Sequence, residues 1–281
     1  MLKLEQPLTL DDAAISAPNL CDRFSETDLR NIGAECLSGM KADEFSRAIW
    51  MRRNEAGMDL ALQIVKDKTF PWPGASNVAF PLVTIAAMQF HARAYPAIVS
   101  GTDMVKCEVI GADPSGEKFR RASAISVDMS WQVLKQDKTW ETEEDKALLN
   151  LSIVGTNFKK SYFSGSKAHN VSELVLAKDL ILNYYSKSVE SSPRKTQLIP
   201  FFRNEVYERV LRGTFRDCLE DAWYQSTPVP PSTQKQSNQD NRQGVTPPPP
   251  SDNQASILFG EQHVNLDLDD DGYAEPYIIT F

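Results

Sequence analysis

The chain has 281 residues, of which 41% are apolar and 24% charged, and its formal net charge is −8. That length allows one large domain or two small ones, and the composition reads as that of a soluble, folded protein. No apolar run reaches the roughly 18 residues needed to span a bilayer, the acidic start MLKLEQPLTLDDAA lacks a secretory core, and an acidic total argues against gripping duplex DNA by its phosphates.

Residues 1–24 are weakly patterned and read as an arm. Ser25-Glu26-Thr27-Asp28 has capping-box spacing, so a short helix is predicted to run to Gly39. A longer helix is predicted over 42–65, with Phe45, Ile49, Ala56, Leu60 and Ile64 as its apolar stripe. Arg47, Arg52, Arg53 and Glu55 fall mostly off that stripe and read as a solvated face.

Next comes Phe70-Pro71-Trp72-Pro73-Gly74-Ala75-Ser76-Asn77. Its prolines lock φ, and Pro73 pushes Trp72 out of the helical region. Gly74 permits a turn that other residues resist. Ser76 or Asn77 can cap exposed amides, and Pro81 suits a first helical turn. The stretch reads as a rigid elbow feeding the helix 81–94. If the Trp72 ring is buried there, Trp72→Ala is expected to destabilise by a few kcal/mol. Leu82, Val83, Ile85, Ala86, Ala87, Met88 and Phe90 leave that helix no polar face. Such a helix must be covered, by a core or by neighbouring subunits. His91 and Arg93 sit at its polar end and read as a packed or surface pair.

Val105–Ile110 reads as a strand and Asp113-Pro114-Ser115-Gly116 as a turn. Helices are predicted over 118–136 and 140–154, the second striped by Ala147, Leu148, Leu151 and Val154 and closed by Gly155. Strands follow at 158–163, 172–175, 180–185 and 197–201. A helix over 202–212 ends at Gly213, and Thr214 is expected to start another, with Phe215, Cys218, Leu219, Ala222 and Trp223 on one face. Residues 225–256 are rich in Pro, Gln, Asn and Ser, including Pro247–Pro250. They bury too little to offset ordering, so an extended or disordered loop is expected.

Asp267, Asp269, Asp271 and Gly272 copy the first half of a calcium loop, D-x-D-x-D-G. The twelfth position, which needs a bidentate acid, holds Ile278. Flanking Leu266, Leu268, Tyr277 and Ile279 instead predict a β-hairpin with an acidic turn. The three aspartates are a weak metal candidate, and no metal, cofactor or catalytic residue is assigned. Phosphate-loop and G-x-S-x-G patterns are absent, and His91, His169 and His263 lack ligand spacing. Cys21, Cys36, Cys107 and Cys218 show no CxxC pairing and read as reduced thiols. Trp50, Trp72, Trp131, Trp140 and Trp223 are read mostly as core residues rather than stacking platforms for single strands.

Four blocks together resemble one family. They are FPWPGASNVAFPLVTIAAMQFHARAYPA (70–97), NLSIVGTNFKKSYF (150–163), SELVLAKDLILNYY (172–185) and LDLDDDGYAEPYIITF (266–281). The text is similar to portal proteins of tailed double-stranded DNA bacteriophages, above all the large portals of short-tailed phages, across residues 40–281. The resemblance implies a non-enzymatic structural subunit of a homo-oligomeric ring of about twelve copies, closed by cyclic symmetry. That ring is the head–tail connector at one capsid vertex of the virion, assembled in the host bacterial cytoplasm. Its partners would be a major capsid or scaffolding protein, the terminase large subunit and a tail adaptor. Double-stranded DNA would pass loosely through the lumen during genome packaging and ejection. No membrane is involved. Members of the family are usually longer, so a truncated, split or partial chain is expected, with the terminase- and adaptor-binding segments outside it.

The expected class is α+β, with a helical amino-terminal half and then a β-rich, wing-like region with short helices. The expected divisions are an arm and short helix (1–40), a helical body (41–156), a β-rich region (157–224), the polar loop (225–256) and a hairpin (257–281). Two other readings remain open. One is a metal-dependent nuclease or hydrolase built on Asp267, Asp269 and Asp271. The other is an adaptor that recruits a partner through the Pro-rich loop.

Overall fold

The computed structural model describes residues 4, 8, 17–64, 69–76, 80–99, 101, 104–165, 167–217 and 256–281. The class is α+β: helices occupy the amino-terminal half, and antiparallel β-structure with a further helix follows. The chain divides into two compact units, one of residues 1–51 with 178–281 and the other of residues 52–177.

In the first unit, a short 3₁₀ turn (Cys21–Arg23) precedes α1 (Glu26–Ser46). The Ser25 hydroxyl accepts from the Asp28 amide at 3.1 Å and donates to the Asp28 carboxylate at 2.9 Å, the cap that the spacing predicts. The helix continues past Gly39 to Ser46, and α2 (Ala48–Ala61) begins after a break at Arg47. The predicted stripe does not face a core: Phe45, Ile49 and Leu60 are 84%, 66% and 64% exposed. Polar residues decide this orientation. Asp43, 1% exposed, takes Nε and Nη2 of Arg194 at 3.0 and 3.1 Å and the Asn183 amide at 2.9 Å. Arg47 donates to the Leu180 and Lys178 carbonyls at 2.8 and 2.9 Å. Gly39 lies under this clamp, because a Cβ there would stand 2.6 Å from Arg194 Nη1.

The helix α1 packs on β3 (Leu180–Leu182) and β4 (Arg194–Phe201). With β5 (Ile257–Leu266) and β6 (Glu275–Thr280), these form one antiparallel sheet of order β3-β4-β5-β6. One apolar cluster joins Leu8, Ile32, Cys36 and Leu268 to Tyr277, Ile279 and Phe281. A second joins Phe201 and Val206 to Phe215 and Phe259, and Val206 comes from α6 (Arg203–Leu211). Gly260 lets the Phe281 ring lie against its backbone, since a Cβ would meet Cζ at 2.8 Å. The expected helix from Thr214 does not start at 214–217, where the amides of Thr214 and Phe215 return to the Arg209 carbonyl. Cys218, Leu219, Ala222, Trp223 and the Pro-rich loop 225–255 lie outside the described residues.

In the second unit, α3 (Leu82–Ile98) packs against α5 (Trp140–Val154). Between them in sequence lie α4 (Glu117–Trp131) and a π-helical turn (Gln132–Gln136). Gly155, with φ +82°, closes α5 as predicted. A two-stranded hairpin of β1 (Phe158–Ser164) and β2 (His169–Val175) packs on α5. Buried Asp137 fixes it, accepting from the Ser172 amide at 3.2 Å and from the Thr139 hydroxyl at 2.6 Å. Burial pushes the Asp137 carboxyl up, but these hydrogen bonds and the Thr139 amide outweigh it and hold the group below its ordinary value.

The strand expected at 105–110 has no strand partner among the described residues. The segment has no regular secondary structure, and its Val105 and Cys107 amides donate to the hydroxyls of Ser130 and Ser126, at 3.1 and 2.8 Å. Side-chain acceptors on a helix take the place of a β-ladder.

Candidate functional site

Two places concentrate the features picked out in the sequence. The first is the elbow and the helix it feeds. Residues 70–76 form a turn, with the Ala75 amide on the Trp72 carbonyl at 3.2 Å and Gly74 at φ +78°. Pro71, Trp72, Pro73 and Ser76 lie within it, and Asn77 lies outside the described residues. Pro81 precedes the first turn of α3, where its carbonyl accepts from Ile85 at 3.0 Å, and no side chain caps this end. Trp72 is 64% exposed and Phe70 81%, so the elbow ring is not a core residue of this chain. The stiffness comes from the prolines, not from packing of the indole. Trp131 is likewise outside the core, at 53% exposed.

The apolar helix is seated on one side only. Thr84 donates to the Ala61 carbonyl at 2.6 Å, Ala87 is buried, His91 Nε2 meets Asp145 Oδ1 at 2.7 Å and the Tyr95 hydroxyl meets Glu141 at 2.5 Å. These positions share a face at helical spacing. His91 therefore sits in a packed polar pair, as read, with its ring stacked 5.7 Å from Tyr95. The far side carries Leu82 (67% exposed) and Ile85 (38%), and Met88 (63%) and Phe90 (43%) flank the seated face. Of the two coverings expected for this helix, the core of its own chain supplies only part.

The second place is the β5–β6 turn. Ligand oxygens of Asp267, Asp269 and Asp271 lie within 4.8 Å of one another. The turn is held by its own amides: Gly272 donates to Asp267 at 3.1 Å and Tyr273 to Asp271 at 2.7 Å. Asp267 Oδ1, Glu275 Oε2 and the Tyr277 hydroxyl are buried without partners. Burial, then the carboxylates of Glu275, Asp269 and Asp267, push the Tyr277 hydroxyl above its ordinary value. Three carboxylates so placed can face a divalent cation from one side. The opposite closure is missing, because Ile278 at the twelfth position offers no ligand and is 67% exposed. Glu275 was not among the residues singled out from sequence. It lies beyond the D-x-D-x-D-G pattern, two residues before Tyr277 on β6, where strand alternation puts both side chains on one face.

Among the described residues, no helix is long and apolar enough to cross a membrane. Comparison with protein-family models gives no match, and comparison with curated proteins gives none either.

Proposed function

We propose that this chain is a structural subunit of a portal-type ring, a conduit for double-stranded DNA at a phage capsid vertex. The observation that carries this reading is the half-covered helix α3. A helix apolar on nearly all sides keeps Leu82, Ile85, Met88 and Phe90 at its surface, and Phe70 and Trp72 of the elbow are exposed as well. Exposed apolar side chains concentrated on one helix fit a protein–protein contact. In a cyclic ring, such a face meets a different face of the next subunit, and repetition closes the circle. The four sequence blocks similar to portals include the elbow and this helix. A net charge of −8 suits a wall past which DNA slides, since phosphates are repelled rather than held.

In this reading the protein makes and breaks no bond. Its work is geometric: a stiff elbow sets the approach to α3, α3 meets the neighbour, and the ring surrounds the DNA. The virion vertex, the capsid or scaffolding partner, the terminase and the tail adaptor follow from the portal reading. Negative-stain electron microscopy of the purified chain tests it. Closed rings with a central channel are expected, of about twelve copies if the number is that of the portals it resembles, and single particles of one chain at high concentration would contradict the reading.

A further inference from the structure

We infer that residues 105–110 form an open strand edge that pairs antiparallel with the same segment of a second copy, about a two-fold axis through Cys107. Side chains in this segment alternate as in a half-buried strand. Val105, Cys107 and Val109 are half-buried, whereas Lys106, Glu108 and Ile110 are exposed, Ile110 at 94%. One edge of the segment is occupied. The Val105 and Cys107 amides reach Ser130 and Ser126 of α4. Those serines are four residues apart on a helix, about 6 Å along its axis, and the two amides are about 6.6 Å apart along a strand. The next position in this series would set Val109 against Ala122, which has no hydroxyl, so the match stops there.

With the odd-numbered amides turned toward α4, the backbone groups of Lys106 and Glu108 face the other way. Among the described residues they have no hydrogen-bond partner. Of the antiparallel self-pairings centred on Lys106, Cys107 or Glu108, only one satisfies both backbone and charge. The backbone groups on the open edge belong to even-numbered residues, so they must pair even with even. Setting Lys106 opposite Lys106, or Glu108 opposite Glu108, brings like charges together. The remaining register places Lys106 of each copy opposite Glu108 of the other, Val105 opposite Val109, and Cys107 opposite Cys107. Lys106 and Glu108 then form the hydrogen-bonded pairs. Cys107 falls at a non-hydrogen-bonded site, where opposed Cα atoms are about 4.5 Å apart, within the range a disulfide spans.

A two-fold contact of this kind uses the same patch on both copies, so it cannot link successive neighbours of a simple cyclic ring. It is a contact of the unassembled chain, and it stands or falls independently of the portal reading.

Diamide oxidation of the full-length chain in solution tests the register. Two opposed thiols form one disulfide, and diamide takes up the two electrons and two protons. A covalent dimer is expected, and Cys107→Ser removes it. Lys106→Glu, an exposed change that leaves the fold intact, is expected to cut dimer yield about tenfold by opposing like charges. Adding Glu108→Lys restores the yield, because the pair is then merely exchanged. Absence of the dimer, its persistence in Cys107→Ser, or equal yields across the charge variants would overturn the proposal.

Discussion

The two units bury different things. Residues 1–51 with 178–281 hold both apolar clusters found among the described residues, built from side chains such as Leu8, Ile32, Phe201, Val206 and Leu268. They also hold a buried polar clamp of Asp43, Arg194, Asn183 and Arg47. Residues 52–177 bury mainly small residues, Ala61, Ala87, Ala147 and Ala177, with Leu148, Val171 and Val175. Their large side chains, Trp72, Leu82, Met88, Phe119 and Trp131, remain exposed. Alanine faces let helices approach closely but shield little apolar area, about 25 cal/mol per Å². The first unit thus encloses two apolar clusters, although Phe45, Tyr185 and Leu211 are exposed there too, and the second buries mostly small apolar side chains.

The largest expected effect strikes the first unit. Arg194→Ala removes the charge partner of the Asp43 carboxylate, whose side chain is 2% exposed, and leaves it the Asn183 amide. A loss of about 3 kcal/mol is expected, the lower end for a broken buried pair because Arg194 itself is partly solvated. Chemical denaturation followed by far-ultraviolet dichroism measures it, and a loss under 1 kcal/mol would show that the clamp is not what seats α1.

In the second unit, Asp137→Ala removes an acceptor shared by the Thr139 hydroxyl, the Thr139 amide and the Ser172 amide. About 2 kcal/mol is expected from the amides left unpaired. The same carboxylate gives a pH signature. Its folded pKa lies below the ordinary value, so its stabilisation is complete above about pH 4 and fades as pH falls through the folded value. Wild-type stability should therefore drop more steeply on acidification than that of Asp137→Asn, and parallel curves would remove Asp137 from this role.

A smaller effect is expected from Gly260→Ala. The new methyl meets the Phe281 ring at 2.8 Å, and the ring can swing aside, so about 1 kcal/mol is expected. Thermal melts of this variant paired with Phe281→Ala check it, because the two losses should not add. The smallest effect is Trp72→Ala. With the ring 64% exposed, stability should change by no more than about 0.5 kcal/mol. Any larger shift in the melt would place the indole in a core after all.

Local signals proved the most legible. The Ser25 cap, the Gly155 and Gly213 helix ends and the acidic hairpin turn each depend on a few adjacent residues, and each lies where the sequence put it. Orientation was less legible. The spacing of Phe45, Ile49 and Leu60 is helical, yet on α1 the buried position falls to Asp43, and Asp43 and Arg47 take partners 131 to 151 positions away. Residues 105–110 read as a strand because their alternation is that of one. Which acceptors take their amides depended on Ser126 and Ser130, ordinary helix residues until the segment lies beside them. The elbow was legible as a turn, but not the exposure of Trp72, since a tryptophan next to prolines carries no mark of whether its own chain packs on it.

The central claim is that the open face of α3 is covered by a neighbouring subunit. Sedimentation velocity of the wild-type chain against the double variant Ile85→Glu and Met88→Glu tests this most directly. Both positions are already exposed, so the fold should survive in the variant. The account predicts a large closed assembly for the wild type and its loss in the variant, with an unchanged dichroism spectrum. A wild-type chain that sediments as a monomer, or a variant that assembles as well as the wild type, would contradict it.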